Sequence, residues 1–367
     1  MKRLLLTGGG TGGHVYPALA LGEAFLAGGD GREVLFVGSH RGLEARIVPA
    51  AGLPFRGLTM RGFRGKGLGE RLLFPGEAAL ATLRAAVILR RFRPDAVLAT
   101  GSFASLPVLA AARLLRLPYF LQEQNSVPGQ VIRLFAPGAR GLFLAFPEAA
   151  ARLSGRPPRR VTGNPVRAAI RARARRRRAE GPPPGPRRLL IFGGSRGARR
   201  LNEAACEALP RLARHADFEA LLQTGEADAE RIRAALADLG PRVQVRAYIE
   251  NMPEEMARSH WVICRSGAMT LAEITLMGLP AVLVPFPHAV DDHQTLNARA
   301  LVDAGAAVLV PDAELDGAGL ADLLERLWEE PEREEAMARA SRSLGRPEAT
   351  AEILAGMEKT LAGPGGR

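Results

Sequence analysis

Apolar residues along this chain come in short runs set between helix-spaced stretches. The runs are Leu4–Leu6, Val34–Val37, Ala96–Ala99, Tyr119–Leu121 and Leu142–Leu144, then Leu189–Phe192, Glu219–Leu222, Val243–Val245, Trp261–Cys264 and Ala281–Val284. Runs of this length, bounded by glycine, proline and polar residues, predict buried strands. The stretches between them predict helices, among them Ala18–Ala27, Leu201–Leu212 and Leu271–Met277. Strands alternating with helices imply parallel sheets. The pattern also repeats. Leu4-Leu5-Leu6-Thr7-Gly8-Gly9-Gly10-Thr11-Gly12 and Leu189-Leu190-Ile191-Phe192-Gly193-Gly194-Ser195-Arg196-Gly197 agree at two leucines and three glycines with one offset. Each looks like the first strand–turn–helix unit of a doubly wound α/β domain, so the prediction is two Rossmann-like domains.

The break between them is placed at Gly163-Asn164-Pro165-Val166-Arg167. A basic run from Arg171 to Arg178 follows, then Gly181-Pro182-Pro183-Pro184-Gly185-Pro186, which suits neither helix nor central strand. Both read as a solvated helix end and a linker. Gly345-Arg346-Pro347 separates a last amphipathic helix, Glu348 to Leu361, which is expected to cross back to the first domain. The expected domains are therefore residues 1–163 with 346–367, and residues 164–345.

A length of 367 residues suits two domains of roughly 150–180 residues. Only Cys206 and Cys264 occur, which excludes a disulfide framework and favours a cytoplasmic address. No Cys/His cluster has zinc spacing, no apolar run is long enough to span a bilayer, and Met1–Thr7 reaches glycine too soon for a signal peptide. The net charge of +12 is uneven: +13 over residues 1–163, +8 over 164–188 and −9 over 189–367. A basic N-terminal half beside an acidic C-terminal half implies that one domain alone meets an anionic surface.

Chemistry concentrates where strands end. Cys264-Arg265-Ser266-Gly267-Ala268-Met269-Thr270-Leu271-Ala272-Glu273 passes from a strand through a tight turn into a helix. Ser266 is the expected N-cap, and the first-turn amides of Ala268, Met269 and Thr270 form an anion site suited to a diphosphate. Glu273 shares their helix face and could accept both hydroxyls of a ribose. The alternative is an ordinary capped helix whose Glu complements the dipole. His14, in Gly8-Gly9-Gly10-Thr11-Gly12-Gly13-His14, opens another helix, where the positive end keeps imidazole neutral and able to take a proton. A packed or capping histidine is the alternative. The glycine loop lacks the Gly-Lys-Ser/Thr of a triphosphate site, and Gly38-Ser39 stand where an NAD enzyme carries an acid. In Pro285–Asn297, Asp291 or Asp292 is the expected helix cap, which puts His293, Gln294 and Asn297 on one face. Two adjacent carboxylates there do not make a metal site. Gln122-Glu123-Gln124-Asn125 form a second polar cluster at a strand end.

Gly-Gly-Thr-Gly-Gly-His, Glu-Gln-Asn, Gly-Asn-Pro-Val-Arg, Gly-Gly-Ser-x-Gly-Ala, Arg-Ser-Gly-Ala-x-Thr-x-x-Glu and a final Gln-x-x-Asn follow one another from Gly8 to about Pro311. In that order they resemble the MurG family of glycosyltransferases. The resemblance implies a GT-B fold of two facing Rossmann-like domains, with UDP-N-acetylglucosamine (UDP-GlcNAc) on the C-terminal one and lipid I on the N-terminal one. It places Ala268, Met269, Thr270, Leu271, Ala272 and Glu273 against diphosphate and ribose, and the backbone of Ile249 against uracil, with Tyr248 and Met252 lining that pocket. Ser195 and Arg167 are implied at phosphate oxygens; Gln294, Asn297, Asn125, Thr11, Gly12 and Gly13 lie towards the donor sugar. The sequence departs from the pattern at Phe103, where the family often has Tyr, at Arg196 in place of Gln, and at His293 beside Gln294.

The reaction so implied is inverting attack by the muramoyl C4 hydroxyl on UDP-GlcNAc, without metal or cofactor, with His14 as base and Glu123 as its rival. The partners implied are UDP-GlcNAc, lipid I and an anionic lipid surface, not nucleic acid, for which 3 Tyr and 2 Trp offer little stacking. Residues Gly62 to Arg93 mix Arg and Lys with large apolar residues, as at a lipid interface or, equally, in a loop and core helix. The expected place is the cytoplasmic face of the cell membrane, as a peripheral protein. A same-fold transferase with another lipid acceptor would share the Glu273 site.

Overall fold

The computed structural model describes residues 1–59, 68–181, 184–194 and 197–363, the side chains of residues 68–74 excepted. The chain divides into two compact units, Met1–Ala168 with Pro347–Arg367, and Ala169–Arg346.

In the first unit seven parallel strands, β1 (Arg3–Thr7), β2 (Glu33–Ser39), β3 (Phe55–Leu58), β4 (Ala96–Ala99), β5 (Tyr119–Glu123), β6 (Gly141–Leu144) and β7 (Arg159–Val161), lie in the order β3-β2-β1-β4-β5-β6-β7. In the second, β8 (Arg187–Phe192), β9 (Phe218–Gln223), β10 (Val243–Arg246), β11 (Trp261–Cys264), β12 (Ala281–Leu283) and β13 (Ala307–Leu309) lie in the order β10-β9-β8-β11-β12-β13. Both orders reverse direction after the first strand, between β1 and β4 and between β8 and β11. A doubly wound sheet opens a crevice beyond the carboxyl ends of such a pair.

The central strands are apolar on both faces because helices cover both; Leu4, Leu5, Leu6 and Val262, Ile263 are fully buried. The C-terminal helix Ala349–Ala362 packs on the first sheet. Ile353 and Met357, both fully buried, sit among Leu4, Leu6, Phe120 and Phe143, and Arg32 bridges to Glu358 at 3.1 Å. Burying two such side chains contributes about 3–6 kcal/mol before ordering costs.

Two expectations change. The apolar pattern of the first helix starts at Ala18, but the helix itself begins at Gly12, with His14 on its first turn as the sequence places it. Glycine and Pro17 hide its first turn from a propensity reading, but first-turn amides have no intrahelical acceptor to lose. The basic run is not merely a solvated end. It lies in the helix Ala168–Glu180, from which Arg177 donates to the carbonyls of Met277 (3.0 Å) and Ala257 (2.6 Å), and Arg178 to that of Leu276 (3.1 Å). Cations there satisfy the last carbonyls of the helix Ala268–Met277 and complement its dipole. Burial pulls the Arg177 guanidinium down to about 10.

Candidate active site

The carboxyl edge of the first sheet gathers the N-terminal candidates. β1 ends at Thr7, and the helix Gly12–Ala27 begins behind Thr11, whose side chain makes no capping bond. The intervening glycines are steric necessities. A Cβ on Gly8 would run into Thr100 Oγ1, and one on Gly9 into the Glu44 carboxylate. Glu44 is fully buried beneath the loop. Its Oε2 accepts from the Gly10 amide at 2.9 Å and its Oε1 from the Ser39 amide at 2.8 Å. The loop is thus moulded on a carboxylate that two charge-assisted bonds hold in place.

His14 stands on the first turn of that helix, with Nδ1 2.7 Å from both the Thr100 carbonyl and Gln124 Oε1. Gly101, at φ +94°, lets the backbone pass against the ring. Glu123 is also buried, but its carboxylate serves its own loop: Oε1 accepts from the Asn125 amide and Oε2 from the Gly129 amide, each at 2.9 Å. Burial raises its pKa to about 7 against the lowering effect of those bonds. Asn125 also reaches Glu123 Oε1 through its side chain at 3.4 Å. Thr11 and Gly13 are exposed, and the Arg167 guanidinium lies 4.7 Å from the Tyr16 ring centroid. Its Nε is buried with no hydrogen-bond partner among the described residues. Phe103 lies opposite Gly10 across the crevice, within van der Waals reach of a Cβ there.

In the second unit β11 delivers the helix Ala268–Met277, with Gly267 in the capping position and no acidic residue in the first turn. Ser266 is therefore not the cap. Its hydroxyl, fully buried, donates to the Gln294 carbonyl at 2.8 Å, and the chain turns into the helix one residue later. Ala268 and Leu271 face the core, while Met269, Thr270, Ala272 and Glu273 are half-buried. The Pro285–Asn297 loop is tied to this turn. Arg265 donates to the Val284 and Pro285 carbonyls at 3.1 and 2.8 Å, Gln294 Oε1 accepts from the Phe286 amide at 3.0 Å, and Asn297 Nδ2 donates to the Ser266 carbonyl at 3.4 Å. Asp292 holds the capping position of the helix His293–Asp303 without capping it: at φ 49° its carboxylate takes the Thr295 hydroxyl at 2.7 Å instead. Asp291 is also left-handed, at φ 53°.

The pattern of the glycosyltransferase family 28 N-terminal domain matches residues 4–143, and that of the family 28 C-terminal domain matches residues 188–353. The solved structure of Acinetobacter baumannii MurG superposes with a TM-score of 0.78 at 30% identity, covering 98% of this chain and all of that one. A UDP-N-acetylglucosamine–N-acetylmuramyl-(pentapeptide) pyrophosphoryl-undecaprenol N-acetylglucosamine transferase of Anaeromyxobacter sp. (strain Fw109-5) is 44% identical over 96% of this chain and 91% of its own. The chain belongs to the MurG family. A relative of the same name from Myxococcus xanthus (strain DK1622) is 39% identical over all of this chain and 96% of its own. The fold is accordingly GT-B, built from the two parallel-sheet α/β domains described above.

Among MurG-family candidates, Ser195 and Arg196 lie outside the described residues. The Ile249 amide is engaged, donating to Gln223 Oε1 at 2.8 Å, so a ligand contact there falls to its carbonyl. Tyr248 is exposed and Met252 half-buried. Gln223 also donates to the Gly194 carbonyl at 3.0 Å and so joins the second glycine turn to residue 249. Gln223, Glu44 and Thr100 escaped the sequence reading. The first and last sit at or just past strand ends, which was the available signal; Glu44 sits in a short helix with none.

Proposed function

We propose that this chain transfers N-acetylglucosamine from UDP-GlcNAc to the C4 hydroxyl of the muramoyl sugar of lipid I, giving lipid II with inversion at the anomeric carbon. The observation that carries the reading is the helix Ala268–Met277: its mouth carries no side-chain cap and no acid in the first turn, while Glu273 sits one turn in. The amides of Met269 and Thr270, with Ala268, take the diphosphate, and Leu271 and Ala272 continue the helix to Glu273, which takes the ribose diol. Gln294 and Asn297 serve the donor sugar, and the Ile249 carbonyl the uracil.

In the transfer, the acceptor oxygen forms its bond to the anomeric carbon as the bond to UDP breaks. The electron pair leaves on the β-phosphate oxygen, and the acceptor proton passes to His14. Fixed donors aimed at the developing charge stabilise it more than water could. The place of His14 on the first turn of the helix Gly12–Ala27 supports it as the base, while both Glu123 oxygens are engaged by the Asn125 and Gly129 amides. The first unit is the acceptor and membrane-facing domain, and the second the donor domain.

Its membrane side is read from the helix Leu68–Phe92. Ala81, Ala85 and Leu89 are buried, while Leu80, Leu83 and Val87 stand exposed beside Arg84 and Arg91. Apolar residues among arginines suit an anionic lipid surface at the cytoplasmic face of the membrane. Phe63, Leu68, Leu72, Leu73 and Phe74 of the predicted interfacial stretch lie outside the described side chains.

Labelled UDP-GlcNAc and a lipid I analogue, incubated with the protein in chelator, should yield the labelled disaccharide lipid. His14→Ala should lower kcat by about 10²–10⁴-fold, the usual worth of a positioned base. No product from the wild type sinks the assignment; normal turnover of the variant removes His14 as base.

A further inference from the structure

The histidine ring is held by a chain of buried amides that the transfer chemistry above does not use. Gln124 is 1% exposed, Gln122 0% and Asn164 4%. The Gln124 side-chain nitrogen shares its two hydrogens among three oxygens: the Thr100 carbonyl at 2.9 Å, the Gln122 carbonyl at 2.9 Å and Gln122 Oε1 at 2.6 Å. Gln122 Nε2 in turn donates to Asn164 Oδ1 at 2.9 Å, and Asn164 Nδ2 to the Gln124 carbonyl at 3.1 Å.

The polarity of this chain leaves one solution. Rotating the Gln124 amide by half a turn would set its oxygen against three other oxygens, with no donor to relieve them, at a site closed to water. Gln124 Oε1 therefore points at His14 as an acceptor. The Thr100 carbonyl, the other atom within 2.7 Å of Nδ1, is also an acceptor. A ring nitrogen between two acceptors must carry the hydrogen, and the lone pair of the neutral imidazole then resides on Nε2.

We propose that Gln124 is a positioning residue for the transfer: held by Gln122 and Asn164, it joins the Thr100 carbonyl in fixing the His14 ring as the Nδ1–H tautomer, so that Nε2 receives the acceptor proton. The proposal rests on the reading of His14 as the base. Asn164 gives it a further consequence. It lies four residues before the division between the two units, so the orientation of the base is tied to the segment that leaves the N-terminal unit.

The test is a tautomer measurement that needs no turnover, joined to a pH profile. In protein labelled with ¹⁵N at histidine, long-range proton–nitrogen spectra should show His14 of the wild type protonated at Nδ1 alone. Gln124→Leu leaves the Thr100 carbonyl as the acceptor on Nδ1, so a minor Nε2–H population should appear and the ring should lose its fixed orientation, lowering kcat about tenfold with the KM for UDP-GlcNAc unchanged. Gln124→Glu keeps an acceptor for Nδ1, and its second oxygen, facing the Thr100 and Gln122 oxygens, must hold a proton to donate as the amide did. It should retain the single tautomer and most of kcat, with the acidic limb of the kcat/KM profile in place. A residue that only fills space would give the same tautomer in both variants. A wild-type spectrum with hydrogen on Nε2 overturns the proposal without any variant, which covers the case that Gln124→Leu does not fold. Mixed tautomers in Gln124→Glu overturn it too. If the tautomer follows Gln124 while His14→Ala turns over normally, the base reading has failed and the catalytic meaning of the amide chain falls with it.

Discussion

Two helix mouths in this molecule start alike and are backed differently. Gly12–Ala27 follows β1 and Ala268–Met277 follows β11, both strands flanking the reversal point of their sheet, and neither helix has a side-chain cap. Behind the first stand buried polar side chains: Glu44 under the glycine loop, and Thr100, Gln122, Gln124 and Asn164 behind His14. Behind the second the ties run largely to backbone, Ser266 to the Gln294 carbonyl and the Phe286 amide to Gln294, while Arg177 and Arg178 hold the far end. The contrast follows from what each mouth offers. A loop presenting one side chain in one tautomer needs side-chain struts to orient it. A loop presenting amides needs only a helix that does not move, and anchoring its tail achieves that.

The largest effect should come from closing the second mouth. Gly267 has ordinary angles, φ −64° and ψ 136°, and a Cβ there would meet only Thr270 Oγ1, at 3.8 Å. Its bareness is therefore a matter of residue choice and not of space. Gly267→Asp would cap the helix and hold stability level or raise it, since aspartate is among the best N-caps. It would also put a carboxylate where a diphosphate binds. UDP affinity, measured by calorimetry, should weaken about 100- to 1000-fold, or ~3–4 kcal/mol. Unchanged affinity would mean that the diphosphate binds elsewhere.

The rival base supplies the next effect, on stability against pH. Burial raises Glu123 from 4.5 to about 7. Below the lower value both folded and unfolded chains are protonated and the group costs nothing. Between the two, the unfolded chain ionises while the folded one keeps its proton, so stability falls as pH rises, and it levels off above about 7. At about 1.4 kcal/mol per unit the loss is at most ~3 kcal/mol. Glu123→Gln cannot ionise, so its drop in Tm between pH 5 and pH 8 should be several degrees smaller than that of the wild type. Equal drops would show that the carboxyl does not hold its proton in the folded state.

Much of this contrast could be read in the sequence, and the unread part has a physical cause. The central strands and both strand–turn–helix units were legible because apolar runs and glycine turns are local signals. β3, β7 and β13 were not; each has only three or four residues, and β7, with Arg159 and Arg160, is exposed throughout. His14 and Ala268–Glu273 stood out because chemistry at a strand end is also local. Ser266 misled because serine caps helices more often than glycine does, and its real partner, the Gln294 carbonyl, is 28 residues away. Glu44 and Gln223 act across 34 and 26 residues, on Gly10 and Ile249, and no periodicity encodes a partner at that distance. The buried amide chain joins Gln122, Gln124 and His14 to Asn164; single motifs showed its members but not their connection.

The smallest effect tests the struts of the first mouth directly. Glu44→Gln keeps the shape of the buried group but only one acceptor oxygen for two amides, those of Gly10 and Ser39. One amide is left facing a donor, at a cost of about 2 kcal/mol, or ~4–8 °C in the Tm of a unit this size. A strut that only shapes the first mouth should leave UDP affinity within about twofold, because the Gly10 and Ser39 amides that Glu44 holds both belong to the first unit. Gly267→Asp should give the reverse pattern, with donor affinity lost and Tm kept. If both variants lose donor affinity and stability together, the division between a mouth held by side chains and a mouth held by its tail is wrong. In that case the two glycine-led turns depend on one shared support.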